Sequence, residues 1–120
     1  RQIIEQAEAF LAAYGMSRFA PVNYDPASLP ISELYGYRES EGRYGEPVLF
    51  YVLPDPFQSH VANGFNKDAV ARALHEAGML KKPASGEGWQ IRTPRLKHLK
   101  GARLRVYGLL LTQEDETESD

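Results

Sequence analysis

Residues 57–80 read FQSHVANGFNKDAVARALHEAGML, and residues 89–111 read WQIRTPRLKHLKGARLRVYGLLL. In the first segment, residues 57–62 form a short helix-compatible run, and Asn63-Gly64 is a strong turn signal. Asn66 then precedes apolar residues spaced three and four apart along residues 70–77, which predicts a capped amphipathic helix over residues 66–77. Gly78 is a typical C-terminal stop for that helix. The first segment therefore predicts a helix, a turn and a second helix.

The second segment has the alternation of polar and apolar residues that is typical of two paired strands. These strands are predicted over residues 89–93 and 103–111. The connection, residues 94–101, carries Arg95, Lys97 and Lys100, which can neutralise phosphates, but it also carries Leu96 and Leu99, which can pack on the body or on a partner. The order helix, turn, helix, β-hairpin is that of a winged helix, in which residues 94–101 form the tip of the wing.

The residues before this stretch predict additional scaffold. An apolar stripe predicts an N-terminal helix over residues 2–15, and three prolines make residues 17–32 an irregular connector. Residues 34–39 and 48–53 are predicted to pair as strands across a loop at residues 40–47. In the first of these strands Tyr35 and Tyr37 are predicted to share one face, either packed in the core or stacked on bases. The predicted fold is α+β: a winged helix-turn-helix with an N-terminal helix and an extra β-hairpin.

Charge is segregated along the chain. The 120 residues carry a net charge of −2, but residues 64–113 hold ten Lys and Arg against three Asp and Glu, a net of +7. Residues 1–63 have a net charge of −4, and residues 114–120 hold five acids and no base. A segregated basic region favours a polyanionic partner. We therefore expect one domain over residues 1–112 and a disordered acidic tail over residues 113–120, which is either a solubilising end or an autoinhibitory segment that competes for the basic surface.

Several classes of site are disfavoured by what the sequence lacks. The chain has no Cys, so thiolate metal sites and disulfides are excluded and a reducing, cytoplasmic setting fits. His60, His75 and His98 show no metal-ligand spacing, and no nucleophile-elbow motif is present. We therefore expect no enzymatic activity of the domain alone, no cofactor or metal and no small-molecule substrate. The absence of a long apolar run predicts no membrane span, and the lack of an initial Met suggests a domain cut from a longer protein.

A set of motifs across nearly the whole chain resembles a known family. The motif residues are Phe10-Leu11, Gly15, Ser17-Arg18-Phe19, Tyr35-Gly36-Tyr37-Arg38, Leu53-Pro54, Phe57, Gly64-Phe65, Val70, Leu74, Gly78, Leu80 and Arg103-x-Arg105-Val106-Tyr107. The pattern resembles the C-terminal region of the helicase-like family called domain-of-unknown-function nine-two-seven, which occurs in bacteria on plasmids, prophages and other mobile genetic elements. A weaker resemblance is to the winged-helix end of conjugative relaxases. The resemblance implies a winged-helix appendage behind an ATPase motor; the motor's Walker A motif is absent here.

The basic region and the resemblance together predict an accessory DNA-binding domain of a mobile-element replication or transfer helicase, which contacts mainly phosphates. The predicted contact residues are Lys67, Arg72, Arg92, Arg95, Lys97, Lys100, Arg103 and Arg105. The alternative is a protein-interaction module that docks on the parent helicase or relaxase, or on a neighbouring subunit. Exposure of Leu96, Leu99 and Tyr107 would favour that alternative.

Overall fold

A computed structural model describes residues 1–39 and 47–112, without the side chain of Thr112. The helices are α1 (Gln2–Tyr14), α2 (Pro54–Pro56), a π-helix (Phe57–Val61) that continues α2, α3 (Lys67–Glu76) and a 3-10 helix (Lys97–Leu99). The strands are β1 (Phe19–Pro21), β2 (Gly36–Glu39), β3 (Pro47–Val52), β4 (Leu80–Lys81), β5 (Ile91–Arg92) and β6 (Arg105–Thr112). Most of the predicted loop at residues 40–47 and the predicted acidic tail lie outside the described residues. None of the described helices is long and apolar enough to cross a membrane.

A single mixed sheet forms the centre of the protein. Its strands lie in the order β1-β2-β3-β6-β4, and β5 also pairs with β6. The long antiparallel pairing of β3 with β6 brings Phe50 opposite Leu109. Residues 48–52 of β3 are all buried, because this strand has elements packed on both of its faces. The continuous apolar sequence of β3 was therefore a correct signal for a buried strand.

The first face of the sheet is covered by α1, the π-helix and α3. We call its apolar residues the helix-side cluster: Ala7, Phe10, Leu11, Phe19, Tyr35, Val48, Phe50, Val52, Phe57, Val61, Ala62, Val70, Ala71, Leu74, Met79, Leu80, Tyr107 and Leu109. The rings of Phe57 and Tyr107 stack with centroids 3.7 Å apart. The Nε2 group of Gln6 on α1 lies 2.8 Å from the carbonyl oxygen of Val61 and donates to it, which ties the end of the π-helix to α1. Buried apolar area and shape fit hold this side together.

The second face is covered by the connector after β1 and by the tip of the β5–β6 hairpin. We call its residues the tyrosine-side cluster: Ala20, Tyr24, Tyr37, Leu49, Tyr51, Leu96 and Val106. The Tyr37 hydroxyl shares a 2.8 Å hydrogen bond with Nε2 of His98, and the Tyr51 hydroxyl donates to Glu39. This side is therefore apolar at its centre and hydrogen-bonded at its margins.

Several local predictions are confirmed. Helices form where the stripes of residues 2–15 and 66–77 predict them, and the side chain of Asn66 accepts hydrogen bonds from the backbone N–H groups of Asp68 and Ala69. Gly78 has φ +79°, a left-handed conformation that strongly favours glycine after a helix. The two predicted strand pairs, β2 with β3 and β5 with β6, are both antiparallel.

Other local predictions are wrong. Residues 17–32 are not wholly irregular, because β1 forms there and pairs in parallel with β2. Tyr35 and Tyr37 do not share a face, since β2 begins only at Gly36, and both rings are buried rather than available for bases. The predicted strand over residues 89–93 is reduced to the two residues of β5, and β4 was not predicted.

The α+β class is confirmed by the mixed arrangement of helices and sheet. The winged-helix topology is not confirmed, because β6 of the predicted wing is an interior strand of a larger sheet, with β3 on one side and β4 and β5 on the other. What remains of the prediction is the local order of the π-helix, a turn, α3 and the β5–β6 hairpin.

Candidate nucleic-acid interface

Two arginines lie directly opposite each other on the β5–β6 hairpin. Ile91 pairs with Val106, and Arg92 pairs with Arg105. Ile91 and Val106 pack in the tyrosine-side cluster, so Arg92 and Arg105, one position along each strand, project to the opposite side, where α3 lies. Like charges directly opposite on paired strands are destabilising. The pair is exposed and forms no ion pair among the described residues, which makes it suited to an external anion.

A cleft separates this hairpin from the N-terminus of α3. It has a volume of about 230 Å³, and its walls include Lys67, Trp89 and Arg105. Acids are also present, since Asp68 and Glu87 line the same cleft and Nζ of Lys67 lies 3.5 Å from Oδ1 of Asp68. Two bases and two acids line the cleft, so the net positive charge of this area comes from the residues around it, Arg92 on the hairpin and Arg72 and Lys82 beside the Trp89 ring.

Trp89, the only tryptophan of the chain, is surrounded by cations. Its half-buried ring packs against the helix-side cluster. Nζ of Lys82 lies 4.8 Å from the ring centroid, and the guanidinium carbon of Arg72 lies 5.9 Å from it. The ring of His75 is 6.1 Å away. Side chains from α3 and from the loop after β4 therefore meet at the Trp89 ring, at the start of the hairpin.

The hairpin tip is a folded cap rather than a plain loop. Leu96 is fully buried and forms a bridge with Ala102, and the 3-10 helix follows it. Nη1 of Arg95 donates to the carbonyl oxygen of Gly101 at 3.3 Å, and Nε of Arg103 donates to that of Thr93 at 2.9 Å. Both guanidiniums keep exposed N–H groups, because each uses only one donor here.

All eight predicted contact residues are exposed, but they form two groups. The first group surrounds the cleft and the Trp89 ring and comprises Lys67, Arg72, Arg92 and Arg105. The second group lies at the tip or next to it and comprises Arg95, Lys97, Lys100 and Arg103. On α3, Ala71 lies between Lys67 and Arg72 in sequence but is fully buried, so the exposed face that carries those two basic residues is narrow.

Two parts of the basic area were missed by sequence reasoning. The sequence predicts Trp89 in a strand and Lys82 in a charged, Gly-containing loop over residues 81–88, and no local pattern connects either residue to Arg72. A lone tryptophan beside a Gly-rich basic loop was the available signal.

A second cleft lies on the tyrosine side of the sheet. It has a volume of about 410 Å³ and is lined by Tyr24, Asp25, Lys97 and His98, among others. The ring of Tyr24 is edge-on to His98, with centroids 5.1 Å apart. Burial, and then the neighbouring Tyr24, raises the pKa of Tyr37, so its hydroxyl stays protonated beside His98. His98 is therefore a structural link between the hairpin tip and the sheet.

A larger cleft, of about 560 Å³, lies beside α2 and has the opposite character. Glu33 and Asp55 line it together with Tyr35 and His60. Glu33 pairs with Arg18 at 3.2 Å. The two carboxylates that line this cleft disfavour the binding of a polyanion there. The clefts of the protein therefore differ in charge, as the two halves of the sequence do.

Comparisons of the chain with protein-family models, with curated proteins and with solved structures give no match. Among the described residues, no group of three or more His, Asp or Glu side chains is placed to hold a metal ion.

Proposed function

We propose that the chain binds nucleic acid, DNA in the first place, through interactions of a basic surface with phosphates. The surface consists of the outward side chains of α3, the Trp89 surroundings and the β5–β6 hairpin. The observation that carries the proposal is the cross-strand pair Arg92 and Arg105, two exposed like charges held opposite each other, neither of which forms an ion pair among the described residues. Such an arrangement becomes favourable when an anion lies against both guanidiniums.

The local winged-helix order supports a specific version of this proposal, in which α3 approaches a groove and the hairpin contacts the backbone. The outward face of α3 bears Lys67 and Arg72, but also Asp68 and Glu76. Acids on that face favour binding to phosphates at a few positions rather than readout of a row of bases. We expect weak, largely sequence-independent affinity, with a Kd of about 10⁻⁴–10⁻⁶ M at physiological salt.

The family resemblance of the sequence motifs supports assigning this activity to an accessory domain of a replication or transfer helicase of a mobile element. In that setting the parent motor supplies the strand movement, and a weak module adds affinity because it is tethered. The proposal concerns binding alone, with the parent helicase or relaxase as the neighbouring partner.

A salt titration with matched variants tests the proposal. Arg92→Gln/Arg105→Gln removes the cross-strand pair, and Arg1→Gln/Arg18→Gln removes the same charge from the acidic half of the chain. The first variant should bind a labelled duplex more weakly, and its slope of log affinity against log salt should shrink by about 0.9 for each phosphate that is no longer neutralised. The second should bind almost as the native chain does. Equal behaviour of the two variants would contradict the proposed surface.

The alternative function is docking on the parent protein or on a neighbouring subunit. Of the three residues that would favour it by exposure, Leu96 and Tyr107 are buried and only Leu99, 37% exposed, reaches solvent. Met16 and Phe65 are further exposed apolar side chains, but they lie on different elements. A native chain that binds no duplex even at low salt, but captures its parent motor, would support docking instead.

A further inference from the structure

We propose that the cleft at Trp89 receives an unpaired base, so that the protein prefers single-stranded nucleic acid to a duplex. This inference rests on the proposed function, since the basic surface must first hold the sugar-phosphate backbone. It gives a binding role to Trp89, which the sequence predicts only as the first residue of a strand.

Trp89 carries an aromatic ring next to a cleft. The residue lines the 230 Å³ cleft together with Lys67 and Arg105, and two acids also belong to the lining. Arg92 stands opposite Arg105 on the neighbouring strand. An aromatic ring beside basic side chains is the usual arrangement for binding single strands, because every base has a face that stacks and every nucleotide has a phosphate.

Two cations lie near the ring of Trp89. Lys82 and Arg72 lie 4.8 and 5.9 Å from its centroid, and neither forms an ion pair among the described residues. A cation–π interaction near the surface contributes less than the stacking of a base on an aromatic side chain. A base can therefore replace one of these cations on the ring. The displaced cation then becomes available to the adjacent phosphate, so its charge is retained in the complex.

Single strands and duplexes differ in how accessible their bases are. Bases within a duplex are stacked on both faces, and bringing one out of the stack costs free energy. A single strand has bases that reach the ring without that cost. Preference for single strands therefore follows from stacking at Trp89, while the interactions of the arginine pair with phosphates contribute to both kinds of nucleic acid.

The competing explanation is structural: Trp89 only anchors the loop that joins β4 to β5. Its partial packing against the helix-side cluster is consistent with that role. Two substitutions separate the explanations. Trp89→Leu keeps an apolar side chain for packing and removes the stacking surface, whereas Trp89→Phe keeps an aromatic ring. A structural role predicts similar binding by both folded variants, and a stacking role predicts that only Trp89→Phe retains the preference for single strands.

Trp89 provides its own reporter, because it is the only tryptophan in the chain. An oligothymidylate and a mixed-sequence duplex of equal length are each titrated into the native chain. Binding is followed by anisotropy of a label on the nucleic acid and, separately, by tryptophan fluorescence. We expect tighter binding of the oligothymidylate, with quenching of Trp89 by that ligand and little by the duplex. Trp89→Leu should lower affinity for the oligothymidylate by about 5- to 150-fold, the equivalent of one stacked base, and should weaken duplex binding much less, because the arginine pair still contacts phosphates.

The outcomes separate the inference about Trp89 from the proposed nucleic-acid binding on which it rests. Binding of both ligands with equal affinity and no fluorescence change would overturn the inference and leave phosphate binding intact. Binding of neither ligand would overturn the proposed function, and the inference with it. If Trp89→Leu fails to give a native circular dichroism spectrum and melting transition, the native-chain fluorescence titration decides alone. Lys82→Gln, which removes one cation from the ring, should retain the quenching by oligothymidylate.

Discussion

The two sides of the central sheet are built differently. The helix-side cluster contains stacked and edge-on aromatic rings, such as Phe57 on Tyr107 and Phe10 on Phe19, beneath three helical elements. The tyrosine-side cluster is covered by a connector and a hairpin tip, and its rings end in hydrogen bonds to His98 and Glu39. No buried side-chain N or O atom among the described residues lacks a partner.

The difference indicates a division of roles. Apolar packing is non-directional and supplies most of the free energy of folding, so the helix side accounts for most of the stability. A hydrogen bond adds less net stability but fixes the position of its two groups. The tyrosine side therefore orients irregular segments, above all the basic hairpin tip, against a sheet that the helix side keeps folded.

The largest expected effect on stability comes from truncating a large buried side chain on the helix side of the sheet. Phe57 is fully buried and stacked at 3.7 Å, so Phe57→Ala leaves a cavity that its neighbours only partly fill. It should lower the free energy of unfolding by about 3–5 kcal/mol. Urea unfolding monitored by circular dichroism measures the change, with Leu99→Ala as the exposed control. A loss below about 1 kcal/mol would mean that the helix side is not the main source of stability.

A smaller effect is expected at the margin of the tyrosine side. Tyr51→Phe removes the hydroxyl that donates to Glu39 but keeps the ring, so it should cost about 0.5–1.5 kcal/mol at neutral pH. Burial, then the hydrogen bond to Glu39 and its charge, raises the pKa of Tyr51 above its ordinary value. Equilibrium unfolding at pH 7 gives the cost, and a loss above about 3 kcal/mol would mean that the hydroxyl contributes more than one hydrogen bond.

Tyr51→Phe also tests how the stability of the fold depends on pH. In the unfolded chain Tyr51 releases its proton near pH 10, whereas in the folded chain it keeps that proton to higher pH because its pKa is raised. The stability contribution is therefore fully present below pH 10 and is lost as the pH rises above it, because the folded state then binds more protons than the unfolded state. The stability of the native chain should decline above pH 10, and that of Tyr51→Phe should decline less steeply. Parallel curves would exclude Tyr51 as a source of the alkaline loss.

The smallest expected effect on stability is at the hairpin tip. Replacing Arg95, Lys97 and Lys100 with Ala should change the free energy of unfolding by only about 0.5 kcal/mol in either direction, because all three side chains are exposed. Binding to unrelated duplexes should weaken by similar factors, and the salt slope should shrink by about 0.9 for each phosphate that the tip no longer neutralises. A folded triple variant with unchanged affinity and slope would restrict the binding surface to the Trp89 cleft and the arginine pair.

Local sequence signals were enough to identify the helices and the long strands. Periodic apolar residues over α1 and α3, the cap at Asn66 and the glycine at residue 78 act within a few residues of one another, so they are readable without a structure. The apolar run of β3 and the segregation of positive charge after residue 63 were readable for the same reason. The α+β class and the basic hairpin follow from these local signals.

The arrangement of those segments could be learned only from the folded chain. Strands of two or three residues, such as β1 and β4, have no measurable periodicity, and their pairing depends on partners far along the chain. The interior position of β6, the burial of Leu96 and Ala71, and the meeting of Arg72, Lys82 and Trp89 likewise depend on interactions between distant segments. A residue's type and neighbours in sequence indicate what it can bind, but the packing of the sheet decides which residues meet to form a site.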